Sequence, residues 1–511
     1  MSDKSFPVPS RGERRSAARC QPVNRQQLLL RSVDVEKLVE EDHPVRAIWE
    51  LVDGSDLESF YETIEAVEGE AGCSAWDPRV LISLWLYGYS RAVSSAREIS
   101  RRCEYDPAYQ WLTGLEVVNH HTLSDFRVQH GPALDELFVQ VLGVLSHEGL
   151  ITLERVMHDG VKVGACASGK SFRRQETLER HMDLARQQVE EMKEREKEAC
   201  CPEVGKRVAQ ARERAVREKK ERLEAALREI KEIQGAQSDP EKRQKVRVST
   251  TDPEARIMEQ PGGGFGPSYN VQISSDAKAD LIVGMGVTQA ANDTGELVAA
   301  VERMEANWGE VPPQVVVDGG FINQGAIMAM EAQGIDLIGP MPDHASQVVA
   351  ALEKRGVAPE FFPQAFRYDG ERNCYVCPGG RDLGFEGQEK SEGSARYRYR
   401  AKLVDCQSCV SKGKCCPQSQ RRSLVRSEEP AEVRRHREKM ASESAREIYK
   451  QRSQIAEFPH AWIKEKFGLR RFRLRGLVKV RIEALWACLT YNICQWIRLC
   501  WRPQQAVGVG N

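Results

Sequence analysis

The sequence predicts an α/β protein: a mixed sheet preceded by a helical domain and interrupted by a helical-hairpin insertion and a Cys-rich insertion. Three observations carry this. Amphipathic helices follow one another up to about residue 150. Between 151 and 345, short apolar or alternating segments, two of which carry an aspartate, are interleaved with helices. A charge-rich stretch with apolar residues at 4-3-4-3 spacing separates the first such strand from the others.

The bulk composition sets the frame. The chain has 511 residues, 41% apolar and 29% charged, the balance of a globular protein with a packed core. At about 100–200 residues per domain this allows two to four domains. The net charge is −1, so any affinity for a polyanion must come from local clusters. Residues 1–27 are basic and lack an apolar segment of the kind a secretory signal needs, which points to the cytoplasm. Fifteen cysteines in such a chain argue for thiols or metal ligands before disulfides.

Residues 28–150 read as consecutive helices, such as "DVEKLVEEDHPVRAIWELV" and "DPRVLISLWLYGYSRA", with Asp or Ser at several starts. The segment 151–171 holds the first strand, "VMHDGVKVGACAS", whose alternation turns Asp159, Val161 and Val163 to one buried face. A carboxylate there needs a partner or a metal. Over 172–245, Leu178, Met182, Ala185, Val189 and Met192, then Val216, Leu223, Leu227 and Ile230, mark two helices folding back as a coiled-coil arm, broken at "CCPEVG". After a glycine-rich linker, 246–345 supply a hairpin ("YNVQISSD", "DLIVGMGVT"), a helix, the strand "PQVVVDGGF" ending at Asp318, a helix and the strand "IDLIGPM". Residues 346–440 are less regular and Cys-rich. Helices return over 441–500, before a tail at 501–511. Within the last of them "ALWACLTYNICQWIRLCW" is interrupted by Asn492, Gln495 and Arg498, which makes it a buried helix and not a membrane span.

Asp159 and Asp318 sit on strands of one sheet. Neighbouring strands lie about 5 Å apart, so the two carboxylates suit a shared divalent cation, and few hard oxygen ligands suit Mg²⁺. Glu457 is the candidate third acid. On an ideal helix Tyr449, Glu457 and Lys464 fall within about 80° of one another with Arg452 just outside, although Pro459 is expected to kink or restart the helix near Phe458. Downstream, Arg470, Arg471, Arg473 and Arg475 form a basic cluster suited to phosphates. Cys374 with Cys377 and Cys406 with Cys409 make two CxxC pairs, the pattern of a structural Zn²⁺ site, and equally of four reduced thiols. "SAREISRRC" and "HHTLSDFRVQH" suit either a helix-turn-helix that addresses DNA or plain helix packing.

"VMHDGVKVGACAS", "VVVDGGF" and "YKQRSQIAEFPHAWIKEKFGLRRFRLRGLVKVRIEALWACLTYNI" resemble the three signature regions of DDE transposases of bacterial insertion sequences, the last carrying a Tyr-Arg-Glu-Lys signature in Tyr449, Arg452, Glu457 and Lys464. The helical region up to about 150 is similar to the N-terminal domain attached to such enzymes. The resemblance covers nearly the whole chain beyond residue 27. It implies an RNase H-like, retroviral-integrase-like catalytic fold, with Asp159, Asp318 and Glu457 binding Mg²⁺ or Mn²⁺ for phosphoryl transfer on DNA. It also implies DNA backbone contacts from Tyr449, Arg452 and Lys464. The implied partners are double-stranded DNA, as terminal inverted repeats and target, and further copies of the chain in a homodimer or higher synaptic assembly near the nucleoid, with no membrane involved. A nuclease of the same fold and a non-catalytic DNA-binding descendant are the competing readings.

Overall fold

The N-terminal third folds as helices α1 (Pro44–Asp53), α2 (Pro78–Ser90), α3 (Ala96–Arg102), α4 (Pro107–Thr113), α5 (His120–Gln129) and α6 (Gly131–His147). The starts are written locally: the His43, Asp77 and Asp106 side chains each accept a backbone N–H at a helix start that is followed by proline at its first position. That chemistry divides the helix expected from Asp34. A short 3₁₀ turn, Val35–Leu38, ends before Pro44 begins α1. The two helices read as a helix-turn-helix are α3 and α5, which pack together but with α4 between them in sequence. This computed structural model describes residues 32–65, 74–198, 203–260, 262–342, 344–391 and 394–504. The basic N-terminus, the Cys200–Pro202 break of the arm and the end of the tail lie outside the described residues.

The six-stranded mixed sheet contains β1 (Val156–Gly164), β2 (Arg256–Glu259), β3 (Phe265–Asp276), β4 (Ile282–Thr288), β5 (Gln314–Val316) and β6 (Asp336–Ile338). β1 lies at its centre, antiparallel to β3 and parallel to β5, and β5 is parallel to β6. β2 and β4 both pair with β3, along different stretches of it. Three antiparallel strands followed by two parallel ones reached through helices is an RNase H-like arrangement. β2 corrects the sequence reading of a linker. Its glycine run is a hairpin turn, with Gly263 and Gly264 at φ of 86° and 80°, a region that residues with a Cβ avoid.

The arm leaves the sheet after β1 as helices α7 (Gln175–Glu198) and α8 (Glu203–Ala236). Leu178, Met182, Ala185, Leu223 and Ile230 are buried between them as expected, Ala226 is buried where Leu227 was expected and Leu227 only partly, and Arg256 of β2 pairs with Glu229 of α8. Helices α9 (Glu296–Trp308) and α10 (Gln324–Ala332) connect the later strands. The region after β6, read as irregular, is instead largely a five-stranded antiparallel sheet. Its strands are β7 (Arg367–Asp369), β8 (Cys374–Val376), β9 (Asp382–Ser391), β10 (Ser394–Ala401) and β11 (Ser423–Ser427). The alternation of Tyr397 and Tyr399 with arginines is the strand signal. Arginines in place of apolar residues obscured it.

Helices α11 (Ala431–Ala441), α12 (Glu443–Glu465) and α13 (Leu477–Trp496) complete the chain. α12 runs unbroken through Pro459, which is buried with Ala456, His460 and Ile463. Packing on the sheet thus outweighs the hydrogen bond that proline removes. α13 is buried between α2 and α6 on one side and β4 on the other. Its Asn492 carboxamide accepts from the backbone N–H of Ile282 (2.9 Å) and donates to the Ile282 carbonyl (2.8 Å), pairing the backbone at the start of β4. Among the described residues no helix is long and apolar enough to cross a membrane.

Candidate active site

The parallel register of β1 and β5 pairs Val156 with Val315 and Met157 with Val316. Carried on for two residues, that register brings Asp159 level with Asp318, which follows the end of β5, and the Asp318 charge acts on Asp159. Backbone N–H groups orient both: Gly160 donates to Asp159 Oδ1 at 2.9 Å and Gly320 to Asp318 Oδ1 at 2.8 Å. Burial is the main cause that pushes the Asp159 carboxyl up to about 6. The Asp318 charge adds to the rise, and Arg452 opposes it.

α12 lies over this face of the sheet. Arg452 Nη1 stands 3.6 Å from Asp159 Oδ2 and is buried with no hydrogen bond, while its guanidinium sits 5.9 Å from the Tyr449 ring centre. Lys464 is half-buried, and burial first, then Arg470, lowers its ammonium pKa. Tyr449, Arg452 and Lys464 therefore share a face with the aspartates. Glu457 is not drawn in with them: its side chain is exposed and makes no hydrogen bond or ion pair among the described residues, although an ideal helix puts it only about 20° from Lys464. Among the described residues no group of three or more His, Cys, Asp or Glu side chains is arranged to hold a metal ion.

The residue that sequence reasoning missed is Asp293, in the loop after β4. It accepts from Asn270 Nδ2 (2.7 Å) and Gln272 Nε2 (2.8 Å) and pairs with Lys162 (3.3 Å), and its charge also reaches Asp159. The signal lay in the polar positions of β3, where Asn270, Gln272 and Ser274 alternate on a buried strand and so require partners. His158 is held between Ser274 (2.9 Å) and Gln272 (2.8 Å), and burial keeps its pKa down at about 4, so it is neutral. A Cβ on Gly160 would overlap Asp293 and Gln272, which explains the glycine after Asp159. Gly160→Ala is expected to cost about 1–3 kcal/mol, measured by denaturant unfolding.

The arginine cluster follows α12. The Phe472 N–H donates to the Gly164 carbonyl (2.8 Å) and the Gly164 N–H to Arg470 (3.1 Å), so this loop is stitched to the end of β1. Arg471 hydrogen-bonds the carbonyls of Ala165 and Ala167, and Arg473 bonds Ser94 Oγ at 2.8 Å. Glu483, fully buried on α13, accepts the backbone N–H groups of Arg473 (3.0 Å) and Leu474 (2.9 Å). The loop is thus fixed from both sides. Arg470 pairs with Glu465, and the Arg475 side chain is exposed.

The predicted cysteine quartet is only partly gathered. Cys374 is buried within β8 and does not join Cys377, Cys406 and Cys409, because three residues of extended chain carry it about 10 Å away and turn it to the other face. Cys415 and Cys416 stand with the other three instead.

Two family models match the chain. One, a transposase domain (DUF772), covers residues 33–129, the helices α1 to α5. The other, a transposase DDE domain, covers 376–497, from the Cys-rich sheet through α12 and α13. No curated protein and no solved structure matches. Both models describe transposases, and neither covers Asp159 or Asp318. Residues 33–129 and 376–497 are thus similar to two transposase domains, one of them a DDE domain, and together they support a DDE transposase of an insertion sequence.

Proposed function

We propose that this transposase binds the terminal inverted repeats of its element and carries out metal-dependent strand cleavage and strand transfer. The observation that carries the reading is the Asp159–Asp318 pair on adjacent segments, with Arg452 at 3.6 Å from Asp159. Two carboxylates held side by side by backbone N–H groups repel each other and favour a cation between them. Asp159 and Asp318 would hold Mg²⁺ or Mn²⁺, which when bound would polarise the phosphoryl group and stabilise the attacking and leaving oxygens, and Glu457, exposed on α12, would have to turn inward to complete the set.

The chain's own residues position the DNA. Arg452, braced by Tyr449, presents a guanidinium with an unused donor to a phosphate, and Lys464 adds charge on the same face of α12. Arg473 and Arg475, on the loop clamped by Glu483, meet the backbone farther along. An element has two ends, so two or more copies must assemble to cut and join both.

The test is a gel assay of labelled terminal-repeat DNA with Mg²⁺, Mn²⁺ or Ca²⁺. Cleavage followed by joining to a target duplex is expected with the first two, and binding without chemistry with Ca²⁺, which tolerates looser, longer coordination. Cleavage without joining would make the protein a nuclease, and binding without cleavage under any metal would make it a non-catalytic DNA-binding protein. Replacing Arg473 and Arg475 by Ala is expected to weaken specific and random duplexes alike. The slope of log affinity against log salt should flatten by about one unit per lost contact. An unchanged slope with lost discrimination would assign these arginines to base edges.

A further inference from the structure

We propose that the Cys-rich sheet carries a structural zinc site formed by Cys377, Cys406, Cys409 and Cys415. One end of that sheet encloses a cavity of about 40 Å³ lined by these four, Cys416 and Arg422. They come from three separate places in the chain: the turn between β8 and β9, the short helix Leu403–Gln407 with the residues after it, and the short helix Lys412–Cys415. Thiols from three segments facing one small enclosed space need a reason. Packing alone is served as well by alanine or valine.

Two further observations point to an ion. The turn after Cys377 is built as a metal-binding knuckle. Gly380, at φ 73°, lets the chain reverse, the Cys377 N–H donates to the Arg381 carbonyl (2.9 Å), and the Arg381 N–H then points at Cys377 Sγ (3.3 Å). A backbone donor aimed at sulfur stabilises a thiolate, the protonation state that metals bind. The second observation is Arg422. Its residue is only 6% exposed, it makes no ion pair among the described residues, and its Nε has no hydrogen-bond partner. Its two terminal nitrogens donate to the carbonyls of Cys415 (3.3 Å) and Phe361 (2.9 Å). A buried cation without a counter-charge is costly. The Asp405 carboxylate at the cavity faces Arg381 (4.0 Å) and leaves Arg422 facing the cysteines. Zinc bound by four thiolates carries a net charge of −2, which Arg422 offsets.

Cys415 is the fourth ligand because it packs with Cys377 and Cys406 against the same apolar cluster around Leu383 and Tyr399, of which Cys416 is not a member. As placed, the sulfurs ring the cavity without converging. Neutral thiols keep van der Waals spacing, while zinc draws thiolates to about 2.3 Å, or about 3.8 Å from one another. Four protein ligands leave no open position, so the ion staples this sheet and takes no part in DNA chemistry.

The experiment is metal analysis of the full-length protein purified without chelators, together with cobalt(II) substitution. About one zinc per chain is expected. Cys377→Ser, Cys406→Ser, Cys409→Ser and Cys415→Ser should each lose at least half of it, and Cys374→Ser and Cys416→Ser should retain it. Cobalt should show thiolate charge-transfer absorption and the strong d–d bands of a tetrahedral ion, a readout on wild-type protein that does not depend on any variant folding. Wild type with under about a tenth of an equivalent of zinc and no tetrahedral cobalt spectrum would overturn the site. Iron in place of zinc, or equal zinc loss in Cys374→Ser and Cys377→Ser, would overturn it also.

Discussion

Asp159→Asn is expected to abolish strand cleavage and, in the absence of divalent metal, to stabilise the protein at neutral pH. The loss of activity follows from removing a charge beside Asp318 where the cation is proposed to bind. A fall of at least about 10³-fold is expected, as for removal of a principal electrostatic stabiliser. Asp318→Asn and Glu457→Gln should fall comparably while binding to terminal-repeat DNA persists. The stability gain follows from the raised pKa. Asp159 ionises at about 6 in the fold against 3.8 when unperturbed, so the folded state holds its proton more tightly than the unfolded chain does. Stability is therefore greatest below the unfolded value, falls as pH rises through 4 to 6, and stays reduced above, by up to about 3 kcal/mol at pH 7. In EDTA the melting temperature of wild type should drop across that window relative to Asp159→Asn, and Mg²⁺ should narrow the gap. Wild-type cleavage by Asp159→Asn, or parallel melting curves at pH 4 and 7, would sink the assignment. If Glu457→Gln alone cleaved normally, Asp293 would become the third acid to test, because its charge already reaches Asp159.

Trp486→Ala is expected to cost about 3–5 kcal/mol, a large part of the stability of most domains. Trp486 is 1% exposed on α13, its ring centre is 6.5 Å from that of Trp85 on α2, and its indole N–H donates to the Arg127 carbonyl at 3.4 Å. α13 therefore ties the N-terminal helices to the mixed sheet, and the cavity would open where the two meet. Denaturant unfolding followed by tryptophan fluorescence and by far-ultraviolet dichroism measures the loss. An effect under about 1 kcal/mol would show that the two parts are held together elsewhere.

Much of the fold follows from local sequence. Helix starts at Asp77, Asp106 and Asn119 are set by a side chain that caps its own helix. The arm is set by heptads that need only each other. The β3–β4 hairpin and the strands around Asp159 and Asp318 are set by alternation and flanking turns. The placing of Tyr449, Arg452 and Lys464 on one helix, with a basic loop after it, is also readable from the sequence, because charge and spacing along a helix survive without knowledge of its neighbours.

What depended on contacts distant in sequence was not legible. Pro459 stays inside α12 because Ala456, His460 and Ile463 are buried against the sheet, a balance that local propensity does not contain. Arg471 is held by carbonyls some 300 residues away in sequence, and Glu483 is buried beneath the loop it clamps, so neither role is written in their neighbours. Asp293 reaches Asp159 only because β3 lies beside β1. The cysteines make the same point: CxxC spacing suggested Cys374 as a ligand, but a strand extends where a turn would fold back, and Cys415 stands at the cavity in its place. Sequence alone determined which residue types could do the chemistry and which local elements carry them. Tertiary structure decided which of them meet, because a hydrogen bond or a cation site is made in space by chain segments whose separation along the sequence sets no distance between them.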